Sequence, residues 1–347
     1  MCATAAGTGG TTAVAGGTAA VACGTAAMAD GAWESGPVKI APSGEQFVIA
    51  SGAHQVTLVE VGGGIREYLH EGRHVLDGYR VDEMCSGGRG TPLMPWPNRL
   101  ADGVYTFRGT RHQLPLSEPA RHNAIHGLLR WTNWTRRAGD ESHAVLGAVL
   151  HPQPGYPFPL DVAIEYAVSD AGGPGRHPGL TVTTTATNLG DVPCPFASGQ
   201  HPYLAAAGQT VNEASVRLGA RRWISTDERG LPVGSESVEG SPLDFRTLRK
   251  IGETSIDHAF TELDRDSDGL AWVELEDPEG RQTRLWADRN YSHIQLFTGD
   301  TLGPDRRRRG LAVEPMTSPA NAFASGDGLL VLEPGESLTT AWGILPG

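Results

Sequence analysis

Leu180-Thr181-Val182-Thr183-Thr184-Thr185-Ala186-Thr187 is the stretch on which the reading of the fold turns. Nearly every residue in it is β-branched, stiff at χ1 and suited to a pleated surface more than to a helix. Outward from it, runs of the same kind recur at 55–61, 65–69, 104–107, 145–150, 162–168, 272–275, 283–287, 293–298 and 338–342. Turn signals separate them: Gly62-Gly63-Gly64, Gly87-Gly88, Gly172-Gly173-Pro174-Gly175, Asp277-Pro278-Glu279-Gly280 and Pro334-Gly335-Glu336. Many short strands punctuated in this way predict an all-β fold of stacked antiparallel sheets. No internal repeat and no hinge-like linker interrupts the later chain, so 37–347 is expected to be one large domain.

Composition agrees with this expectation. Of 347 residues, 39% are hydrophobic and 20% charged, enough for a sizeable core, and 46 Gly with 24 Pro favour turns over long helices. The net charge of −12 argues against nucleic acid or an anionic membrane surface as a partner, since both reward a cationic face. One basic run, Arg306, Arg307, Arg308 and Arg309, follows Gly303-Pro304-Asp305. It reads as a solvated loop, with a phosphate-binding patch as the alternative.

Residues 1–36 are a low-complexity Ala/Gly/Thr stretch, without the charged start and apolar core of a secretory signal or the ~20 apolar residues of a membrane span. A disordered tail is expected there, with translation beginning at Met1 or at Met28. Cys2, Cys23, Cys85 and Cys194 show neither paired spacing nor His partners at zinc-ligand distance, so no metal or other cofactor and a reducing, cytoplasmic compartment are expected.

Four segments carry candidate chemistry. In Pro92-Leu93-Met94-Pro95-Trp96-Pro97-Asn98-Arg99-Leu100 three prolines predict a rigid loop, not a strand, which presents Trp, Asn and Arg together. An apolar face beside fixed polar groups suits a pyranose, with its hydrophobic ring faces and hydroxyl rim; a structural loop with an ion-paired Arg99 is the competing reading. In Asn123-Ala124-Ile125-His126-Gly127, the glycine permits close approach of backbone or ligand, although His126 alone reads more readily as a structural histidine. In Ser198-Gly199-Gln200-His201-Pro202-Tyr203, Pro202 confines His201 to extended backbone, and an imidazole near neutral pKa suits general-acid work. In Leu311-Ala312-Val313-Glu314-Pro315-Met316, a carboxylate closing an apolar run is expected to be desolvated and raised toward a useful base, with Pro315 ending the strand. Asp257 and Gln295 are single polar residues in the apolar segments Ser255-Ile256-Asp257-His258-Ala259-Phe260 and His293-Ile294-Gln295-Leu296-Phe297.

In this order, PWPNRLADGVYTF, NAIHGLLR, GQHPYL, DHAF, HIQLFTG, LAVEPMTSPANAF and LEPGESL resemble the aldose 1-epimerase (galactose mutarotase) family over nearly the whole chain from about residue 45. PWPNR and VEPMTSPANAF look most like bacterial members grouped with a sulfoquinovose mutarotase. The resemblance implies a large two-sheet β-sandwich (supersandwich) with an open sugar cleft, acting on a free monosaccharide, as a monomer or weak homodimer. It implies His201 as the acid that protonates the ring oxygen and Glu314 as the base at the C1 hydroxyl. Asn98, Arg99, His126, Asp257 and Gln295 would bind or orient the sugar. Leu204 and Ala205, where the family often has Phe and Asn, and Pro315-Met316 after the Glu depart from the pattern and leave the substrate open. A non-catalytic carbohydrate-binding protein and a hexose-6-phosphate 1-epimerase are the alternatives.

Overall fold

The threonine-rich stretch becomes the strand Gly179–Asn188, the fourth strand of a nine-stranded sheet. In this computed structural model, residues 40–171, 177–207 and 210–347 are described; the expected tail at 1–36 and the turn at Gly172-Gly173-Pro174-Gly175 lie outside them. The sheet runs, edge to edge, Thr135–Gly139, His143–Leu150, Leu160–Ser169, Gly179–Asn188, Ser337–Leu345, Gln282–Ala287, Ala271–Glu276, Ser215–Leu218 and Arg249–Lys250. Alternation does the sorting: Leu180, Val182, Thr184 and Ala186 are buried, while Thr185 and Thr187 bond across to Thr339 and Ser337 on the outer face.

A second, eight-stranded sheet runs Pro232–Ser237, Ala220–Thr226, Asp257–Leu263, His293–Phe297, Gly310–Met316, Gly199–Gln200 and Pro92–Leu93, with Tyr203–Ala205 also paired to Gly310–Met316. Ile164, Val182, Leu285 and Trp342 of the first sheet share one core with Phe260, Ile294, Leu296 and Val313 of the second. The fold is therefore an all-β, antiparallel sandwich, flanked by a four-stranded meander from Gln46–Ser51 to Arg73–His74. The strand pairs Gly179–Asn188 with Leu160–Ser169 and Ser337–Leu345 are the most extensively matched. Ile40–Gly347 forms one compact unit.

Two expectations fail locally. Pro315 does not end its strand: Gly310–Met316 runs through it, with Pro315 opposite Ile294. The amides of Val313 and Thr317 point to the other neighbour, donating to the Pro202 and Ser198 carbonyls. Strand alternation sends the donor that Pro315 lacks toward that same side, where the ladder is already broken at His201-Pro202. The Pro-rich segment, expected to be all loop, contributes the short strands Pro92–Leu93 and Arg99–Ala101, the latter paired with Asn123–Ile125.

Candidate active site

His201 and Glu314 meet because of strand register. Gly199 lies opposite Met316 and Tyr203 opposite Ala312, so the interrupted ladder carries His201 alongside Glu314 from both directions. Their side chains approach to 3.4 Å, His201 Nε2 to Glu314 Oε1, and only 5% and 3% of each is exposed. On the next strand Gln295 is directly opposite Glu314, and Asp257 reaches the same face one strand further, accepting a 2.7 Å hydrogen bond from Gln295 Nε2. Alternation again explains the split: Leu296 and Val313 enter the core, while Gln295 and Glu314 face away from it into the site.

The other wall comes from a strained turn. Asn98 and His126 both have positive φ, 53° and 63°. They are locked together: the His126 amide donates to the Asn98 carbonyl at 2.9 Å, and the Asn98 amide donates to His126 Nδ1 at 3.2 Å. With Nδ1 accepting, the tautomer left to His126 has its proton on Nε2. Gly127, at φ +70°, is required here, because a Cβ would lie 2.0 Å from the Met94 carbonyl oxygen. The His126 ring meets the His201 ring edge-on at 5.3 Å. Arg99 is ion-paired as the competing reading held, since Nε and Nη2 are both committed to Glu118. It nonetheless lines a small cavity with Asn98, Asp257 and Gln295, roofed by Ile224, Gly230 and Pro232 of the edge hairpin. That cavity is about 10 Å³, room for roughly one water.

Burial sets the charge state. Desolvation first, then the Asp257 charge, raise the Glu314 carboxyl well above its ordinary range, with Arg99 opposing. Desolvation, then Arg130 and Arg89, push the His201 imidazole down to about 3. The imidazole expected near neutrality is therefore held uncharged, because its niche is dry and already holds two cations nearby. His126 is pushed down for the same reasons, burial first and then Arg130 and His201. Burial thus favours the protonated form of Glu314 beside a neutral His201. Glu314 Oε2 and His201 Nδ1 are buried with no hydrogen-bond partner, the condition of groups that await one.

All seven residues singled out from sequence thus gather in one neighbourhood. Arg89, Tyr203 and Arg130 were given no role, and Gly87-Gly88 registered only as a turn. The arginine run disperses: Arg306 binds the Gly78 carbonyl and Glu83, and buried Arg308 binds Asn212, Asp300 and the Gly252 carbonyl, leaving Arg307 and Arg309 exposed. Among the described residues, no group of three or more His, Cys, Asp or Glu is arranged to hold a metal, and no helix is long and apolar enough to cross a membrane. Cys85 and Cys194 are free thiols.

Residues 45–344 match the family model described as aldose 1-epimerase. The chain is 35% identical over 295 residues to the uncharacterized protein YihR of Escherichia coli K12, an alignment covering 85% of this chain and 91% of YihR. Two solved structures share the fold at lower identity. The GalM/aldose epimerase homologue from C. elegans has a TM-score of 0.76 at 18% identity, covering 87% of this chain and 99% of its own. A galactose 1-epimerase from Lactobacillus acidophilus NCFM has a TM-score of 0.70 at 21%, covering 87% and 94%. A family match spanning nearly all of the described chain, on a sandwich of the same architecture, means that this protein belongs to the aldose 1-epimerase family.

Proposed function

We propose that this protein is a mutarotase, interconverting the α and β anomers of a free aldose with His201 and Glu314 as the acid/base pair. The observation that carries the reading is the buried 3.4 Å contact between these two groups, beside the polar side chains of Asn98, Arg99, Asp257 and Gln295. The chemistry asks for little else. Ring opening breaks C1–O5 as a proton leaves the C1 hydroxyl and another reaches O5; the aldehyde rotates about C1–C2, and closure reverses both transfers on the other face. Two oxygens on one carbon are close enough to face two groups in contact with each other. One positioned acid and one base are each worth roughly 10²–10⁴ in rate.

One proton shared by the pair suffices for the cycle. Ring opening starts with it on His201 and leaves it on Glu314, and closure returns it. Its resting place on Glu314 matches the pair after opening, so entry into the cycle moves it across the contact to His201 Nε2. His126 Nε2–H, Asn98 and Gln295 are the hydrogen-bonding groups for ring hydroxyls. Arg99, with two of its nitrogens on Glu118, has Nη1 left for a substrate oxygen. The dispersal of the arginine run weighs against the hexose-6-phosphate alternative. The test is polarimetry or NMR exchange from fresh α-D-glucose, D-galactose and sulfoquinovose. Accelerated exchange of at least one, lost in His201→Asn, is expected; sugar binding with no acceleration would favour a carbohydrate-binding protein instead.

A further inference from the structure

We propose that Arg89 is a positioning residue for His201, acting through the ring of Tyr203 and through the turn that Arg89 anchors. The inference rests on the reading of His201 as a proton carrier. The geometry is a column. The Arg89 guanidinium carbon lies 4.4 Å from the centroid of Tyr203, and the Tyr203 ring stacks on the His201 ring at 5.0 Å with an 11° tilt. Arg89 is 1% exposed, and a buried guanidinium is costly unless paired. Its donors are satisfied by Asp77 Oδ2, from Nε at 3.2 Å and Nη2 at 3.0 Å, and by the Ser86 carbonyl, from Nη1 at 3.1 Å.

The neighbours of Arg89 in the chain address the same imidazole. The Gly87 carbonyl accepts the Tyr203 hydroxyl at 2.8 Å, fixing the ring that stacks on His201. Gly88, at φ +71°, packs so closely that a Cβ would sit 2.6 Å from His201 Cδ2. The Gly90 amide donates to the His201 carbonyl at 2.9 Å, and the His201 amide donates to the Thr91 carbonyl at 3.2 Å. An arginine needed only to hold a turn would have no cause to lie on the ring that backs the imidazole. Its cation, one aromatic ring away, opposes a positive charge on His201 and favours the neutral imidazole. The charged and titratable groups around His201 are Glu314 on its strand, His126 beyond Asn123–Ile125, Arg130, Tyr203 and Arg89, with Asp77 behind Arg89 as its counter-charge.

The experiment follows the ¹⁵N imidazole signals of the full chain against pH in the wild type, Arg89→Gln, Arg89→Lys and the paired variant Arg89→Gln/Asp77→Asn. The last leaves no buried lone charge and so keeps the test open if the single Gln variant does not fold. With the cation gone, the His201 titration is expected to move to higher pH in the Gln variants, while Arg89→Lys stays near wild type. The acid limb of the exchange rate is expected to move with it, with KM unchanged. An unshifted His201 titration in a folded Gln variant, or an equal shift in Arg89→Lys, overturns the inference. The titration needs no turnover. A wild type without exchange activity would therefore strike the mutarotase reading, and the imidazole shift would still decide the role of Arg89.

Discussion

Glu314→Gln separates the catalytic and structural consequences of one carboxyl. The variant keeps the shape of a neutral acid and removes its proton chemistry, so kcat for anomer exchange is expected to fall about 10²–10⁴-fold, roughly 3–5 kcal/mol of barrier. Stability should change in the opposite direction, and with pH. Burial and Asp257 raise this carboxyl, so the folded protein retains a proton that the unfolded chain releases near pH 4.5. Its contribution is fully present below that pH and is lost as pH rises toward the folded value. Each pH unit in the window is worth about 1.4 kcal/mol. As pH rises above 4.5 the wild type should therefore lose stability that the Gln variant cannot lose. His201, pushed down to about 3, works with the opposite sign: its contribution is present above pH 6.5 and lost as pH falls toward 3. The two groups touch, so the difference between the urea-unfolding free energies reports Glu314 together with its coupling to His201. Parallel stability curves across pH 4.5–6.5, or a variant retaining more than about a tenth of the exchange rate, would refute the reasoning.

Three further outcomes are expected. Gly127→Ala drives a Cβ to 2.0 Å from the Met94 carbonyl at φ +70° and should cost about 2–4 kcal/mol by urea unfolding; an unchanged midpoint would contradict the strained Asn98–His126 turn. Arg308→Met leaves Asp300 without its cation and should destabilise by about 3–5 kcal/mol, while glucose 6-phosphate competes no better with glucose in wild type than in variant. Gly230→Val places a branched side chain at φ +75°, its Cβ 2.7 Å from Arg99 Nη1. It should raise KM about three- to thirty-fold while kcat holds, a shift of about 1–2 kcal/mol in sugar binding, read from progress curves at several sugar concentrations.

Much of the sandwich was legible along the chain. The runs at 162–168, 180–187, 283–287 and 338–342 fall on strands, and 55–61 overshoots the strand His54–Val59 by two residues, because each carries β-branched or alternating residues whose preference tertiary packing had no reason to override. Pro315 misled because a proline is costly to a ladder only on the side where its missing amide is needed, and one residue does not reveal its neighbours. The arginine run misled for a similar reason: side chains consecutive in sequence point in different directions, so Arg306 and Arg308 turn inward to separate partners while Arg307 and Arg309 stay in water.

By itself the sequence determined the class of fold and a short roster of candidate site residues, since strand preference and side-chain chemistry are local properties. Only the tertiary structure decided that His201 and Glu314 touch, that burial raises the carboxyl and lowers the imidazole, and that Arg89 stands behind the imidazole. Register across an interrupted ladder brings together residues more than a hundred positions apart, and the dryness of the resulting niche, which sets their charge, exists only once the sheets have closed around it.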